Sequence, residues 1–167
     1  MNTRVVPDPA AECTDPVARL LVARAFGVIS RRYVLARHQI AAAILDADGG
    51  VHVGLHLDAM VGRAAVCAEA SALSAARMAT GAGLVAVAAV RYPKPSEPPK
   101  ARVVPPCGLC RELLLDHAPG LAAVIDSPGS GMELSRLGGL LPHKYVGTKW
   151  PTTPPDGPLP TAHDPSR

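Results

Sequence analysis

The sequence predicts an α/β fold, a three-layer α/β/α sandwich around a mixed sheet. Two observations predict it. Helical and strand patterns alternate along the chain, in the order helix, strand, strand, helix, strand, helix, strand, and this order is typical of a sheet covered by helices. The third of these strands, at 84–90, is an unbroken apolar run, as expected for a strand that is buried on both faces.

The first helix is predicted to begin at Asp15-Pro16, where an N-cap side chain precedes a proline in the first turn. Apolar residues follow it at helical spacing; they are Val17, Leu20, Leu21, Ala25 and Val28. The runs 40–45 and 51–57 then flank the turn-rich stretch 46–50, and this pattern predicts an antiparallel hairpin.

The second half of the chain continues this alternation. Residues 67–80 are rich in alanine and are followed by Gly81, which predicts a helix with a glycine stop. The stretch 92–106 contains six prolines and is predicted to be a loop. A helix over 107–117 and a short strand over 121–125 complete the predicted elements.

The chain of 167 residues is expected to form one domain, over residues 15–150. Residues 1–14 are predicted to be a flexible tail. Residues 151–167 contain six prolines and no apolar periodicity, so a disordered tail is predicted there.

Charge and composition disfavour two classes of partner. The net charge is +3 and aromatic residues make up 3% of the chain, so a nucleic-acid interface is not expected. The opening residues do not resemble a signal peptide, and the apolar run at 84–90 is too short to span a bilayer. We expect a cytoplasmic protein, a setting in which closely spaced thiols serve as metal ligands or catalysts.

Three cysteines form a metal-ligand pattern. Cys67 precedes Cys107 by forty positions, and two residues separate Cys107 from Cys110. This spacing predicts one Zn²⁺ per chain, held by three thiolates that leave a tetrahedral position for water.

Two charged residues beside these cysteines are candidates for the chemistry. Glu69 follows Cys67 by two positions, in the same predicted helical turn, and is the candidate proton carrier. Arg111 directly follows Cys110, and we expect its guanidinium to donate a hydrogen bond to a ligand sulfur.

Two other interpretations stay open from the residues alone. Cys107-Gly108-Leu109-Cys110 at a helix start is also compatible with a redox dithiol. Zinc could instead be a purely structural pin in a binding module, although a fourth ligand is missing.

The segment Cys67-Ala68-Glu69, together with Pro106-Cys107-Gly108-Leu109-Cys110-Arg111, resembles the signature of the cytidine deaminase family. The resemblance is to its small three-cysteine zinc type, which is related to blasticidin S deaminase, and it extends over residues 38–146. It implies a mixed five-stranded sheet, a homotetramer or dimer, and zinc-dependent hydrolytic deamination of a cytosine-type nucleoside.

The same resemblance implies roles for individual residues. The zinc ligands would be Cys67, Cys107 and Cys110, and Glu69 would shuttle protons. The Ala68 amide would contact the carbonyl oxygen of the pyrimidine, and the Pro106 carbonyl would contact its exocyclic amine.

Three positions depart from the family pattern. Where the family carries asparagine and glutamate for the ribose hydroxyls, eleven and nine positions before the first zinc cysteine, this chain has His56 and Asp58. A phenylalanine that packs near the nucleoside is replaced by His38. These changes favour a substrate other than plain cytidine, such as a modified nucleoside or a nucleoside antibiotic of the blasticidin S type.

Overall fold

The computed structural model describes residues 5–149 and has a central sheet between two helical layers. The first helix, α1 (Pro16–Arg32), covers one face of the sheet. The helices α2 (Ala68–Ala79) and α3 (Gly108–His117) cover the other face. The core consists of two clusters of buried residues, one on each side of the sheet. The predicted three-layer α/β/α architecture is confirmed.

The sheet has six strands: five lie in the order β2-β1-β3-β5-β6, and the two-residue β4 pairs with the end of β3. The strands are β1 (Ile40–Asp46), β2 (Val51–Leu55), β3 (Leu84–Arg91), β4 (Arg102–Val103), β5 (Ala122–Ser127) and β6 (Gly131–Arg136). Only β3 and β5 run parallel; the other pairs are antiparallel. The sheet is therefore mixed, as predicted.

Two strands were not apparent from the residue pattern. Strand β6 follows the turn at 127–130, and β4 lies inside the proline-rich stretch predicted to be a loop. Strand β6 is one edge of the sheet, and five of its six residues are half-buried or exposed, in a pattern without strict alternation. The apolar pattern of β6 is too weak to indicate a strand from the sequence. The segment is a strand because its backbone pairs with β5.

The start of the folded unit is earlier than the sequence indicates. Residues Pro9–Glu12 form a short 3₁₀ helix in which Ala10 is buried. The Cys13 thiol is buried as well and lies 3.4 Å from the Met132 sulfur of β6. Residues 9–13 therefore belong to the core on the α1 side of the sheet and are not a flexible tail. The predicted tail at 151–167 lies outside the described residues.

The β1–β2 hairpin is closed by a polar network around Asp46. Its buried carboxylate accepts hydrogen bonds from the amides of Asp48 and Gly50 and lies 2.7 Å from Nε2 of His52. The hydrogen bond with His52 is the main reason that the pKa of the Asp46 carboxyl is lowered. His52 thus stabilises the turn.

Helix α2 lies directly on the edge strand β2 because Gly54 has no side chain. A Cβ atom at this position would overlap the Ala72 amide nitrogen and the Ala68 carbonyl oxygen of α2. One residue along, the Ser71 hydroxyl donates a hydrogen bond to the Leu55 carbonyl at 3.0 Å. These contacts fix the distance between the sheet and the first turn of α2, the turn that carries Glu69.

We expect Gly54→Ala to destabilise the protein by about 1–3 kcal/mol, because the new methyl group must displace helix backbone and not a flexible side chain. Urea unfolding at neutral pH measures the difference. Gly83→Ala is the matched control, since a Cβ there meets no atom within 4 Å. Equal unfolding free energies for the two variants would contradict the close contact between β2 and α2.

Among residues 5–149, no helix combines the length and the apolar character that crossing a membrane requires.

Candidate metal centre and active site

The three cysteines meet at the N-terminal ends of two helices. Cys67 is the N-cap residue of α2, Cys107 is the N-cap residue of α3, and Cys110 is the third residue of α3. Neither N-cap side chain makes a capping hydrogen bond. The three cysteines therefore lie at the positive ends of two helix dipoles, a position that favours thiolates.

The sulfur positions fit a zinc ion. The three Sγ atoms lie within 4.8 Å of one another, and the Sγ atoms of Cys67 and Cys107 are 3.7 Å apart. Tetrahedral coordination with Zn–S distances of about 2.3 Å places two sulfurs roughly 3.8 Å apart. Within residues 5–149 no fourth ligand joins the three thiolates, and such a donor set is that of a zinc site with one position open.

The electrostatics of the cluster also favour a cation. Burial raises the pKa of the Cys110 thiol, and the neighbouring Glu69 carboxylate raises it further. Burial likewise raises the pKa of the Cys67 thiol. Thiols in this setting become stable thiolates when a divalent ion neutralises them, because ion binding and deprotonation are coupled.

Glu69 is buried beside the cysteines, with 5% of its surface exposed. Burial raises the pKa of its carboxyl, and hydrogen bonds from its own amide and from the Cys110 thiol oppose this rise. It is one of two charged residues buried in the described part of the chain; the other, Asp46, closes the hairpin turn. A buried carboxyl with a raised pKa next to a metal centre is suited to accepting and returning a proton.

Two backbone groups border the cluster. Ala68 is buried and is the first residue of α2, so its amide has no acceptor within the helix. Pro106 is buried immediately before Cys107, and its carbonyl oxygen accepts a hydrogen bond from Nε of Arg111 at 2.8 Å. The substrate contacts that the family resemblance implies for these two groups stay predictions.

Arg111 differs from its predicted role. Its guanidinium donates to the Pro106 carbonyl and, at 2.7 Å, to the Leu140 carbonyl of the 3₁₀ helix Leu137–Leu140. In the described part of the chain it donates to no cysteine sulfur. Two carbonyl oxygens are within reach, and both are stronger acceptors than a thiol sulfur. Arg111 therefore connects the loop before Cys107 to the end of the folded domain.

We expect Arg111→Met to destabilise the protein by about 1–3 kcal/mol, because two charge-assisted hydrogen bonds to carbonyls are lost. The measurement is urea unfolding of zinc-loaded protein. Arg102→Met is the control, since Arg102 lies exposed on β4 and no hydrogen bond to its guanidinium is found within residues 5–149. Equal losses in both variants would contradict a structural role for the Arg111 hydrogen bonds.

His56 is brought close to the cluster. Leu57 and Val66 exchange two backbone hydrogen bonds. Because this pairing is antiparallel, the preceding residue, His56, lies on the same side of the pair as Cys67. The His56 ring lies near enough to Glu69 to lower the pKa of that carboxyl. Its Nδ1 atom is buried without a hydrogen-bond partner in the described structure. A buried polar atom without a partner is costly, so a hydrogen bond from a ligand or an ordered water to this atom would be favourable.

His38 and Asp58 are placed differently. The Nδ1 atom of His38 forms a hydrogen bond with the His56 carbonyl at 2.9 Å, so His38 supports the backbone of His56. Asp58 is exposed, and its carboxylate accepts a hydrogen bond from the Ala59 amide. Its backbone amide donates a hydrogen bond to the Arg37 carbonyl at 3.0 Å.

Sequence reasoning did not identify Gly54, Ser71 or Arg37 as part of this region. A signal was available for Gly54, because glycine inside a strand often marks the close approach of another backbone. No comparable signal exists for Arg37, because its neighbours come from a separate segment of the chain.

The fold and the site, with three clustered cysteines and a buried glutamate at the ends of two helices, are those of the zinc deaminase class. The chain is 36% identical over 111 residues to the blasticidin-S deaminase of Bacillus cereus, covering 66% of this chain and 79% of that protein. It is 33% identical over 109 residues to the cytidine deaminase of Mycobacterium tuberculosis, covering 65% of this chain and 74% of that protein.

Solved structures agree with these sequence matches. The crystal structure of cytidine deaminase from Mycobacterium tuberculosis is similar with a TM-score of 0.63 at 29% identity, and the match covers 79% of this chain and 99% of that one. No protein-family profile matches the chain. The chain belongs to the cytidine deaminase family.

Proposed function

We propose that this protein is a zinc-dependent hydrolase that deaminates the cytosine ring of a nucleoside or nucleoside analogue. The observation that carries the proposal is the burial of Glu69 beside the three clustered cysteines. The reaction is redox-neutral: water adds oxygen to the amine-bearing ring carbon, the carbon–nitrogen bond breaks, and ammonia leaves.

The protein's own groups divide this work. Cys67, Cys107 and Cys110 hold the metal, which when bound supplies activation of the attacking water. Glu69 would move two protons in turn: one from that water to the ring nitrogen, and then one from the hydroxyl group added to the ring carbon to the departing amine. Burial suits Glu69 to this exchange, because it raises the pKa of the carboxyl toward neutral pH, where the group can both accept and release a proton.

The backbone groups that border the cluster orient the ring. The Ala68 amide donates a hydrogen bond to the ring carbonyl oxygen. The Pro106 carbonyl accepts one from the exocyclic amine, and Arg111 holds this carbonyl in place from the other side. Such fixed donors and acceptors keep the reacting carbon at one position without reorganisation.

A second candidate substrate is an antibiotic of the blasticidin S type. It is favoured by the match to the Bacillus cereus blasticidin-S deaminase and by the replacement of both ribose-binding residues of the family pattern, at His56 and Asp58. Histidine is larger than asparagine, and aspartate is one methylene shorter than glutamate, so a different sugar is accommodated.

The experiment is release of ammonia by zinc-loaded protein from cytidine, deoxycytidine, cytosine, blasticidin S and adenosine. We expect turnover of at least one cytosine nucleoside and none of adenosine. Absence of ammonia from all of them would contradict the proposal and favour a structural zinc. Metal-free protein with a reversible disulfide between Cys107 and Cys110 would favour the redox interpretation. The homotetramer and the cytoplasmic location stay predictions, because a single chain does not report on either.

We expect the double change His56→Asn with Asp58→Glu to raise kcat/KM for cytidine by about tenfold, since a restored pair of hydrogen bonds to the ribose is worth roughly 1–2 kcal/mol. Steady-state ammonia release measures it, with Asp48→Glu in the hairpin turn as the control for a longer carboxylate elsewhere. No improvement would mean that these positions do not select the sugar.

A further inference from the structure

The three clustered cysteines are divided between two helices on one face of the sheet. Cys67 is the N-cap residue of α2, whereas Cys107 and Cys110 lie at the start of α3. Two thiolates are therefore held by one helix and the third by its neighbour. The arrangement of the three sulfur atoms depends on how α2 and α3 are placed relative to each other.

The opposite ends of the two helices are joined by Arg77. This residue lies in the last turn of α2, and its guanidinium donates a hydrogen bond of 2.6 Å to the carbonyl of His117, the last residue of α3. A second hydrogen bond, of 3.0 Å, goes to the Ala82 carbonyl in the loop after α2. The two helices thus run in the same direction, with the cysteines at one end of the pair and Arg77 at the other.

The hydrogen bond from Arg77 to His117 is of a strong type. The His117 carbonyl is one of the last carbonyls of α3, which no amide of the helix can satisfy. A cation at this end of a helix also interacts favourably with the helix dipole. The Arg77 side chain is half-buried, and burial lowers the pKa of its guanidinium. Charge-assisted hydrogen bonds are stronger where water is partly excluded.

The packing of α2 makes such a connection important for its alignment. The apolar residues that α2 contributes to the buried cluster are Leu73 and three alanines, at 68, 72 and 76. An alanine side chain is a single methyl group, so it interlocks with a neighbouring helix less than larger side chains do. The contacts with β2 fix the distance of the first turn of α2 from the sheet, and the angle between α2 and α3 is left to other contacts.

We propose that Arg77 is a positioning residue for the zinc site: by joining the C-terminal ends of α2 and α3, it holds the angle between the helices at which the three thiolates fit one ion. The inference rests on the proposed zinc-dependent function and deepens it by naming a residue, remote from the metal, that sets the zinc affinity.

The dimensions of the helix pair make this effect large enough to measure. Helix α3 has 10 residues and is about 15 Å long, so a tilt of about 4° at one end displaces the other end by about 1 Å. Distances between zinc and its ligands vary by only about 0.2 Å. A small change of angle at Arg77 is therefore sufficient to separate the Cys67 sulfur from the two sulfurs of α3.

The test is the zinc affinity of the full chain, measured by titrating zinc-loaded protein with a chelator that changes colour when it takes up zinc. We expect Arg77→Met to bind zinc about tenfold more weakly than wild type, at the lower end of the range for residues that support metal ligands. Methionine retains part of the apolar stem and loses both hydrogen bonds. Arg77→Lys keeps a cationic donor, so its affinity should lie between those of wild type and Arg77→Met.

Arg136→Met is the matched control. Arg136 also donates a hydrogen bond to a backbone carbonyl, that of Gly120 at 2.8 Å, but this bond joins β6 to the loop after α3. We expect this variant to keep the wild-type zinc affinity. The absorption spectrum of cobalt(II) bound in place of zinc adds a readout of ligand geometry. It should change in Arg77→Met and not in Arg136→Met, whereas a general loss of stability would not alter it.

Equal zinc affinities in Arg77→Met and Arg136→Met, or a wild-type cobalt spectrum in Arg77→Met, would overturn the proposal. If Arg77→Met does not fold, Arg77→Lys is compared with Arg136→Met and the same outcomes decide. If Arg77→Met binds zinc more weakly but wild-type protein releases ammonia from no compound, the proposed deamination fails and the positioning role stands. Wild-type protein that binds no zinc would overturn both.

Discussion

Glu69→Gln is expected to retain one zinc per chain and to lose about 10²–10⁴-fold in kcat for ammonia release. The amide has nearly the same shape as the carboxyl but cannot accept and return a proton. Glu69 contacts the cluster through the Cys110 thiol and is not one of the three clustered sulfur ligands, so metal binding should survive. The measurements are zinc content by elemental analysis and steady-state turnover of the best cytosine substrate.

Glu112→Gln is the matched control for this loss. Glu112 lies on α3, half-buried and 3.1 Å from Lys144, and does not belong to the cysteine cluster. We expect its variant to keep the wild-type kcat. If Glu69→Gln also keeps it, another group carries the proton and the proposed role of Glu69 is excluded.

Cys110→Ser is expected to lose zinc and therefore activity. The loss of activity should exceed the roughly 10–100-fold that is typical when a residue supporting a metal ligand is replaced. A serine hydroxyl stays protonated and is a poor zinc ligand, whereas the wild-type residue supplies a buried sulfur at the start of α3. Zinc content and turnover are again measured. Thermal unfolding adds a third readout: chelation should lower the Tm of wild-type protein but not that of the variant, because only the former loses a bound ion.

Cys13→Ser is the control for replacing a buried thiol. Cys13 is as buried as Cys110 but contacts Met132, away from the metal cluster. We expect it to lower stability and to leave the zinc content at one per chain. Full zinc occupancy and turnover in Cys110→Ser would show that Cys67 and Cys107 suffice, and that Cys110 serves packing alone.

The elements of the fold were largely predictable from local patterns. Asp15 accepts the hydrogen bond from the Ala18 amide that its N-cap position predicts, and α1 begins at Pro16. The apolar run at 84–90 is the central strand β3, paired with β1 on one side and with β5 on the other. Such features depend on residues that are close together in the sequence, because the periodicity of helices and strands determines which neighbouring side chains share a face.

The parts that were missed depend on distant residues. Burial of the segment 9–13 requires β6, since Cys13 and Met132 are 119 positions apart. The Arg111 side chain bonds to a carbonyl 29 positions away in preference to the adjacent sulfurs. In each case the local sequence permits several outcomes, and the choice is made by whichever partner the fold brings near.

The sequence by itself indicated which thiols can hold zinc and which carboxyl lies in the same helical turn as one of them. Helix geometry gives this directly, because Cys107 and Cys110 share one turn, as do Cys67 and Glu69. Only the tertiary structure decided that these two turns meet, that Glu69 is buried, and that Arg37 joins Asp58 beside His56. The physical reason is that local spacing sets the position of a residue within its element, while contacts between elements set its environment.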